Sequence, residues 1–334
     1  MPSSSWCNCV KVMGERALVT GGAGFMGSSL VRCLAEEGHE VFVYDNFETG
    51  AIANVKDVIP RDHVIRGDVV SSQFMKTVSA TSPDVVYHLA ADPYIPLSYD
   101  YPERFVHTNF QGTMNVLMTC KTFEVKRIVH YSTSEVYGSA RTVPMNEQHQ
   151  TAPQSVYAVS KLAADHLCQV LAKEQGIPVV IVRPFNCYGP RETHPYVIPE
   201  IMSQLVKSDE LLLGNLEARR DFTYVDDTAR AVCMLAKKEA IEGGVFNVGS
   251  GKDYSVRELA ERIGSLMRIG GIRIRTEASR LRPYDVSRLI CDSSRLRELT
   301  GWKPVVELDE GLKRTVDWYR ANACTWEWER RYRS

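Results

Sequence analysis

A glycine-rich segment joins the first predicted strand of the chain to its first predicted helix. The apolar run 16–20 is typical of a strand, and residues 24–38 have the apolar spacing of a helix. Between them, Gly21, Gly24 and Gly27 follow the pattern G-x-x-G-x-x-G. Glycines at such a junction allow a tight turn and let a pyrophosphate approach the N–H groups of the helix N-terminus. The chain is therefore predicted to begin with a βαβ unit that binds a phosphate group.

Strands and helices are predicted to alternate up to about residue 183. Further apolar strands are predicted at 41–45, 63–67, 84–89, 127–132 and 179–182, and helices at 102–123, 155–175 and 308–320. Strands that are apolar without polar alternation indicate a parallel sheet covered by helices on both faces. We predict an α/β fold, a Rossmann-type doubly wound parallel sheet with a smaller C-terminal substrate-binding lobe.

Charge and cysteine content narrow the class of protein. The formal net charge is −1, so no overall field attracts nucleic acid or an anionic membrane. No apolar run approaches the length of a membrane span, and residues 1–13 do not read as a secretory signal. The nine cysteines are scattered without a C-x-x-C pair, which argues against a disulfide framework or a structural zinc site. We expect a cytoplasmic protein with no metal, nucleic-acid or membrane partner.

Carboxylates and small residues follow the predicted strands where a dinucleotide would lie. Asp45 ends the second strand, at the spacing of a carboxylate that accepts hydrogen bonds from the adenosine ribose and repels a 2′-phosphate. Asp68 ends the third strand and could accept from the adenine amine, while residues 89–91 (Leu-Ala-Ala) leave room for the dinucleotide. We therefore expect NAD as the cofactor. The predicted parts are a disordered leader (1–13), an NAD-binding domain (14–183, with strands near 222–225 and 245–248 returning to it), mainly a nucleotide-sugar-binding lobe (184–320), and a tail (321–334) that we expect to be frayed over residues 326–334.

Two polar groups suggest redox chemistry on an alcohol. Tyr157 and Lys161 are four residues apart on a predicted helix and so share a face. Lys161 could lower the pKa of Tyr157 and reach the nicotinamide ribose, and Tyr157 could take the alcohol proton as hydride leaves. The segment 132–138 (Ser-Thr-Ser-Glu-Val-Tyr-Gly) follows a strand, at the edge where open α/β sheets bind ligands. The Glu135 carboxylate in this segment is available for a further chemical step after the alcohol is oxidised.

The order of these motifs resembles that of the extended short-chain dehydrogenases/reductases, and within them the NAD-dependent nucleotide-sugar epimerases and dehydratases. The resemblance runs from about Glu15 to Tyr319 and rests on residues 20–27, 45–46, 88–91, 109–113, 132–138, 157–161, 183–186, 188–191, 219–222 and 282–285. It implies a GDP-, UDP- or dTDP-linked hexose as substrate. It also implies a homodimer that pairs through the helices at about 102–123 and 155–175.

The resemblance implies roles for individual residues. Thr133 would hydrogen-bond the sugar 4-oxygen, and Asn186 would hold the sugar or its phosphate. The residues implied in substrate binding are Asn186, Arg191, Val197, Arg220, Arg282 and Asp285. Those implied in catalysis are Thr133, Ser134, Glu135, Tyr157 and Lys161. Those implied in cofactor binding are Gly21, Gly24, Phe25, Met26, Gly27, Asp45, Asn46, Asp68, Val69, Leu89, Ala90, Ala91, Asn109, Tyr157 and Lys161.

The residue at position 135 helps to distinguish the reactions of this family. These enzymes first oxidise the sugar C4 alcohol, and a 4,6-dehydratase then needs a base for the C5 proton, a role for which Glu135 is placed. Sequences resembling 4-epimerases usually have a small residue there. Ser134 replaces the acid of dTDP-glucose dehydratases, and Thr-Ser-Glu resembles both GDP-mannose-type or legionaminic-pathway-type 4,6-dehydratases and UDP-glucuronate decarboxylases. We expect an NAD-dependent nucleotide-sugar 4,6-dehydratase, a lyase. A decarboxylase, a 4-epimerase and a dinucleotide-binding sensor without turnover remain alternatives.

Overall fold

The computed structural model describes residues 14–281, 286–326, 328 and 329, over which strands and helices largely alternate. The strands are β1 (Arg16–Thr20), β2 (Glu40–Asp45), β3 (Val64–Arg66), β4 (Val85–His88), β5 (Arg127–Tyr131), β6 (Val179–Pro184), β7 (Asn186–Tyr188), β8 (Glu210–Leu213), β9 (Arg219–Tyr224), β10 (Val245–Val248), β11 (Asp253–Ser255), β12 (Arg273–Thr276) and β13 (Arg288–Leu289). The helices are α1 (Phe25–Glu36), α2 (Gln73–Thr81), α3 (Ile95–Asp100), α4 (Pro102–Phe105), α5 (Gly112–Thr122), α6 (Val156–Gln175), α7 (Val197–Leu205), α8 (Val225–Ala236), α9 (Val256–Met267), α10 (Ser294–Thr300) and α11 (Leu308–Ala321). A π-helical turn, Val106–Gln111, joins α4 to α5.

The main sheet contains seven parallel strands in the order β10-β6-β5-β4-β1-β2-β3. Read from the other edge, its first six strands follow the 3-2-1-4-5-6 order of doubly wound dinucleotide-binding folds. The predicted fold class is therefore confirmed. The direction of winding changes between β1 and β4, and ligands of such sheets bind at the carboxyl ends of the strands at that point.

Helices cover both faces of this sheet because successive side chains of each strand point to opposite sides. Val19 of β1 packs with Leu30 and Leu34 of α1 on one face, in a core that also takes in α8. Leu18, the preceding residue, packs with Val116 of α5 on the other face. Each such fully buried side chain contributes about 1.5–3 kcal/mol relative to an exposed one.

The lobe has its own small sheets and apolar core. Strand β9 pairs with β7, β11 and β13, and β8 pairs with β12. Helices α7, α9 and α11 pack on these strands around a core that includes Phe222 and Leu312. The prediction that a strand near 222–225 returns to the main sheet is wrong, because its apolar residues are buried in the lobe. The strand at 245–248 does return, as β10 beside β6.

The C-terminal residues that the structure describes are packed rather than frayed. The ring of Trp326 is fully buried and stacks on that of Tyr319, with centroids 4.9 Å apart. The expectation of a frayed tail is thus wrong for Trp326, because α11 leaves an aromatic surface for it to cover. The predicted leader, residues 1–13, lies outside the described residues. Among the described residues, no helix combines the length and the apolar character needed to cross a bilayer.

Candidate active site

A cavity of about 730 Å³ lies between the carboxyl edge of the main sheet and the lobe. The main sheet and the lobe both contribute to its wall, since the loops after β1, β2, β4 and β5 meet residues of β7, α7 and β9 there. The predicted site residues that line it are Gly21, Gly24, Phe25, Met26, Gly27, Asp45, Asn46, Asp68, Val69, Leu89, Ala90, Ala91, Thr133, Glu135, Tyr157, Lys161, Asn186, Val197 and Arg220. One cavity thus collects residues that are spread over 200 positions of the sequence.

The glycine turn at one end of the cavity is tightly packed. Gly21 has a φ of +69°, which favours glycine, and a Cβ there would lie 2.8 Å from the Ala90 nitrogen. A Cβ on Gly27 would overlap the carbonyl oxygen of Gly21. Helix α1 begins at this turn, with Gly24 as an N-cap that brings no side chain. Backbone N–H groups at the start of α1 therefore face the cavity without a side chain in the way, as a bound pyrophosphate requires.

Hydrogen bonds hold two carboxylates beside this turn. Asp45 accepts hydrogen bonds from the N–H groups of Ala23, at 2.9 Å, and Phe47, at 2.8 Å. Asp68 accepts one from the side-chain amide of Asn46, at 3.1 Å. A dinucleotide whose pyrophosphate lay on the glycine turn would bring its adenosine towards these residues. The glycine cradle and the carboxylates therefore fit NAD.

Helix α6 places Tyr157 and Lys161 one turn apart on its buried face, with exposed fractions of 9% and 2%. Burial raises the pKa of Tyr157 well above its usual value, and a hydrogen bond with Thr133 opposes that rise. Burial also lowers the pKa of Lys161 to about 8, against the opposing attraction of the Asp165 carboxylate. Because loss of water around the phenol is the larger effect, the net shift of the Tyr157 pKa is upward, and its predicted lowering by Lys161 stays a prediction.

Glu135 reaches the cavity from a short 3-10 turn, Ser134–Tyr137, that follows β5. Thr133 caps this turn, and its Oγ1 accepts a hydrogen bond from the Glu135 N–H at 3.2 Å. After burial, the Glu135 carboxylate is the main influence that raises the pKa of Tyr157. Its charge therefore acts on the phenol. Ser134 is buried in the turn and does not line the cavity.

Asn109, predicted to bind the cofactor, also lies outside the cavity wall. Its side chain accepts from the Asp92 N–H at 2.8 Å and donates to the Asp92 carbonyl at 3.1 Å and to Ser160 Oγ at 3.0 Å. It thereby ties the loop after β4 to α6. Its side chain holds the loop that borders the cofactor end of the cavity, so its contribution is indirect.

Arg191 does not reach the cavity either. Its guanidinium donates to Ser28 Oγ and Ser29 Oγ of α1, both at 3.1 Å, and so joins the lobe to the first helix. Arg191 has a φ of +69°, so the backbone bends at this residue. Sequence spacing does not predict such a bend. The remaining predicted substrate residues, Arg282 and Asp285, lie outside the described residues.

Sequence reasoning missed an aromatic group in the cavity wall. The ring of Tyr94 lies 5.2 Å from that of His194 and 5.8 Å from that of Tyr196, measured between centroids. Glu192 also lines the cavity, is 1% exposed, and has its pKa raised by burial. Tyr94 follows β4 at the sheet edge, which is the one signal that could have identified it. The others lie in an irregular segment with no periodic pattern.

The arrangement can support proton transfer to and from a bound alcohol. Tyr157, Thr133 and Lys161 offer a phenol, a hydroxyl and an ammonium at one place, and Glu135 adds a carboxylate. Such groups serve as general acids and bases when a substrate lies within hydrogen-bonding distance. On the lobe side, Arg220 brings a guanidinium that suits a phosphate.

Comparison with known proteins relates most of the chain to enzymes that act on nucleotide sugars. The family model described as "GDP-mannose 4,6 dehydratase" matches residues 18–315. The UDP-N-acetyl-alpha-D-glucosaminuronate decarboxylase of Bacillus cytotoxicus is 33% identical over 321 residues, which cover 92% of this chain and 98% of the relative.

Two solved structures illustrate the same relation. A dTDP-glucose 4,6-dehydratase of Streptomyces venezuelae, solved with NAD bound, superposes with a TM-score of 0.86 at 30% identity, covering 93% of this chain and 99% of the other. A UDP-glucose 4-epimerase of Thermotoga maritima, solved with UDP-glucose, superposes with a TM-score of 0.85 at 30% identity, covering 92% and 99%. The similar proteins thus include a decarboxylase, a dehydratase and an epimerase.

Proposed function

This chain belongs to the nucleotide-sugar epimerase and dehydratase family of extended short-chain dehydrogenases/reductases, and from that premise we propose that it is an NAD-dependent nucleotide-sugar 4,6-dehydratase. The observation that supports this reaction most is the position of Glu135. Its carboxylate lines the cavity and acts electrostatically on Tyr157. A 4,6-dehydratase needs a base for the C5 proton beside the residue that takes the C4 hydroxyl proton, whereas a 4-epimerase does not.

NAD bound in two similar dehydratase structures supports NAD as the cofactor. In this chain Gly21 and Gly27 would hold the pyrophosphate, Asp45 the adenosine ribose and Lys161 the nicotinamide ribose. Bound NAD supplies reversible hydride acceptance. Since Lys161 is buried with a pKa of about 8, it is largely protonated at neutral pH and can donate hydrogen bonds to ribose hydroxyls.

The side chains of this protein would move the protons of the reaction. In its phenolate form, with the Lys161 ammonium one turn away, Tyr157 would take the proton of the C4 hydroxyl. Thr133 would hydrogen-bond the same oxygen as the C4 ketone forms. The ketone acidifies the C5 proton, which Glu135 would remove. Once protonated, Glu135 could donate to the departing 6-hydroxyl. The hydride taken from C4 would return to C6 and a proton would add at C5, so the product would be a 4-keto-6-deoxy sugar formed with loss of one water.

Decarboxylation is the second candidate. One observation in its support is that Ser134, which replaces the acid of dTDP-glucose dehydratases, is buried away from the cavity wall. The other is the 33% sequence identity to a decarboxylase. In that reaction the same C4 ketone would stabilise the electrons left by departing carbon dioxide. Glu135 would then have no proton to remove from C5.

Mass analysis of the product separates the candidates. The protein should be incubated in turn with GDP-mannose, GDP-GlcNAc, UDP-GlcNAc, dTDP-glucose and UDP-glucuronate. The proposal predicts loss of water from one of the hexose substrates. Loss of carbon dioxide from UDP-glucuronate, or an unchanged mass with inverted C4, would contradict it.

Substitution of Glu135 tests the base directly. Glu135→Gln should slow elimination by about 10²–10⁴-fold, the usual contribution of a general base. Oxidation at C4 should persist, so NADH absorbance should build up on the enzyme during one turnover. Glu174→Gln, an exposed position on the same helix as Tyr157, is the matched control. Full product formation by Glu135→Gln would show that the base is another residue.

We also propose that the protein is a homodimer. The side chains that support this are large, apolar and at least 39% exposed, on or beside helices α3 to α6: Tyr99, Tyr101, Val106, Met118, Val159 and Val170. Contiguous exposed apolar groups mark association surfaces, and helices α3, α4 and α5 each pack against α6. Sedimentation velocity should give a dimer, and Val159→Glu should yield a monomer.

A further inference from the structure

Two cysteines face each other where α1 packs against α8, away from the cavity. The Sγ atoms of Cys33 and Cys233 are 3.0 Å apart, although the residues are separated by 200 positions in sequence. Cys33 is partly exposed, whereas Cys233 is 1% exposed. A disulfide bond measures about 2.05 Å. The two sulfurs therefore need to approach by only about 1 Å, within the reach of side-chain motion on two packed helices.

Charged groups surround this pair. Glu37 lies one turn after Cys33, and Lys237 lies one turn after Cys233, with 2.9 Å between the Lys237 ammonium and the Glu37 carboxylate. The hydrogen bond from Cys233 is the main reason that the pKa of Cys33 is lowered, and Lys237 contributes in the same direction against burial and Glu37. The same hydrogen bond, with burial, raises the pKa of Cys233. Cys33 is thus the partly exposed thiol with the lowered pKa, and Cys233 is the buried thiol with the raised pKa.

We propose that Cys33 and Cys233 form a reversible disulfide when a hydroperoxide oxidises the protein, and that this dithiol is a modification site separate from the cavity. An accessible thiolate beside a second thiol is the arrangement found in cysteines that sense peroxide. The contact between the sulfurs, the difference in their exposure and the neighbouring ammonium all favour it.

The proposed reaction balances as a two-electron oxidation. The Cys33 thiolate attacks one oxygen of the hydroperoxide, the O–O bond breaks, and the other oxygen leaves with its substituent and takes up a proton. The Cys233 sulfur then attacks the sulfenic acid on Cys33, which expels its oxygen as water. In total, two thiols and one hydroperoxide give one disulfide, one alcohol (or water) and one water. A dithiol reductant returns the pair to thiols.

A metal ion is the competing occupant. Cys33, Glu37 and Cys233 could each offer one ligand atom, and these atoms lie within 4.8 Å of one another. The Lys237 ammonium on Glu37 would repel a cation at that point. Moreover, two sulfurs on a tetrahedral zinc lie about 3.8 Å apart, given a zinc–sulfur distance of about 2.3 Å. The observed 3.0 Å is closer than that.

A disulfide here would link the two ligand-binding parts of the fold. Helix α1 continues from the glycine turn, and α8 continues directly from β9, which carries Arg220. The bond would also close a loop of about 200 residues, which restricts the unfolded chain. Oxidation should therefore raise the midpoint of thermal unfolding.

The test uses the full-length protein and hydrogen peroxide. After treatment, free thiols are alkylated, and the digested protein is analysed by mass spectrometry. We expect one peptide pair joined through Cys33 and Cys233 and a higher unfolding midpoint, both reversed by dithiothreitol. Cys233→Ser should instead leave a sulfenic acid on Cys33 that dimedone traps, with no rise in the midpoint. Cys324→Ser, at another partly exposed cysteine, should respond as the wild type does.

Two results would overturn the proposal. One is conversion of Cys33 to sulfinic acid in the wild type without any joined peptide. The other is one equivalent of bound zinc that shields both thiols from alkylation until EDTA removes it. Should Cys233→Ser fail to fold, Cys233→Ala serves the same purpose, because alanine is tolerated in helices.

Discussion

Replacement of Lys161 by methionine should stabilise the protein while it abolishes catalysis. The side chain is 2% exposed, and burial lowers its pKa from the usual 10.5 to about 8, although Asp165 opposes the change. One pKa unit corresponds to about 1.36 kcal/mol, so a protonated lysine at this place destabilises the fold by about 3 kcal/mol. Methionine has a similar length and no charge to bury. Lys161→Met should therefore raise the free energy of unfolding by about 3 kcal/mol at pH 7.

The stability that Lys161→Met gains over the wild type should decrease as the pH rises. Between about pH 8 and pH 10.5 the folded wild type has released the Lys161 proton, whereas the unfolded chain still holds it. Stability rises with pH wherever the unfolded state binds more protons. The wild type should thus gain stability relative to Lys161→Met across this window. The difference between them should be largest below pH 8 and disappear above about pH 10.5.

Urea denaturation of protein freed of bound nucleotide measures both effects. Lys173→Met is the matched control, because Lys173 is exposed on the same helix and its replacement should change stability little. The absence of NADH formation by Lys161→Met would show that the stabilised variant has lost function. A variant less stable than the wild type at pH 7, or a difference independent of pH, would refute the reasoning.

Two further substitutions test the two ends of the cavity. In Gly27→Ala the new Cβ would overlap the Gly21 carbonyl. Because overpacking costs about 1–3 kcal/mol, this variant should bind NAD about tenfold or more weakly in a fluorescence titration. The control is Gly270→Ala, whose Cβ meets no atom within 4 Å and which should bind NAD normally. Arg220→Ala should raise KM about 30-fold through loss of about 2 kcal/mol of charged hydrogen bonding to a diphosphate. The control is Arg219→Ala, because Arg219 pairs with Asp253 in the lobe and lies outside the cavity wall, so its replacement should leave KM nearly unchanged. Equal effects at both positions would contradict the assignment.

Local patterns were sufficient for most of the main sheet. The predicted strand at 16–20 coincides with β1, because an unbroken apolar run bounded by polar residues suits a strand buried on both faces. The apolar pattern near 222–225 predicts a strand correctly but does not predict its partners, because periodicity indicates that a segment is buried and not what covers it. The lobe's pairing of β9 with β7, β11 and β13 depends on contacts distant in sequence.

The site was predictable to the same degree. Helical spacing brought Tyr157 and Lys161 to one face, and the end of β5 located Glu135, since both follow from backbone geometry. The direction of the Tyr157 pKa was not predictable, because it depends on how completely the fold removes water. Arg191 was misplaced for a similar reason, since a bend with positive φ sends it to α1.

The most direct test of the proposed dehydration is the reaction run in heavy water. If Glu135 removes the C5 proton and water leaves, the product of the accepted nucleotide hexose should lack one water and carry one deuterium at C5, taken from solvent. The hydrogen at C6 should come from C4 of the same substrate. A product that has lost carbon dioxide, or one of unchanged mass with inverted C4 and no deuterium at C5, would contradict the account.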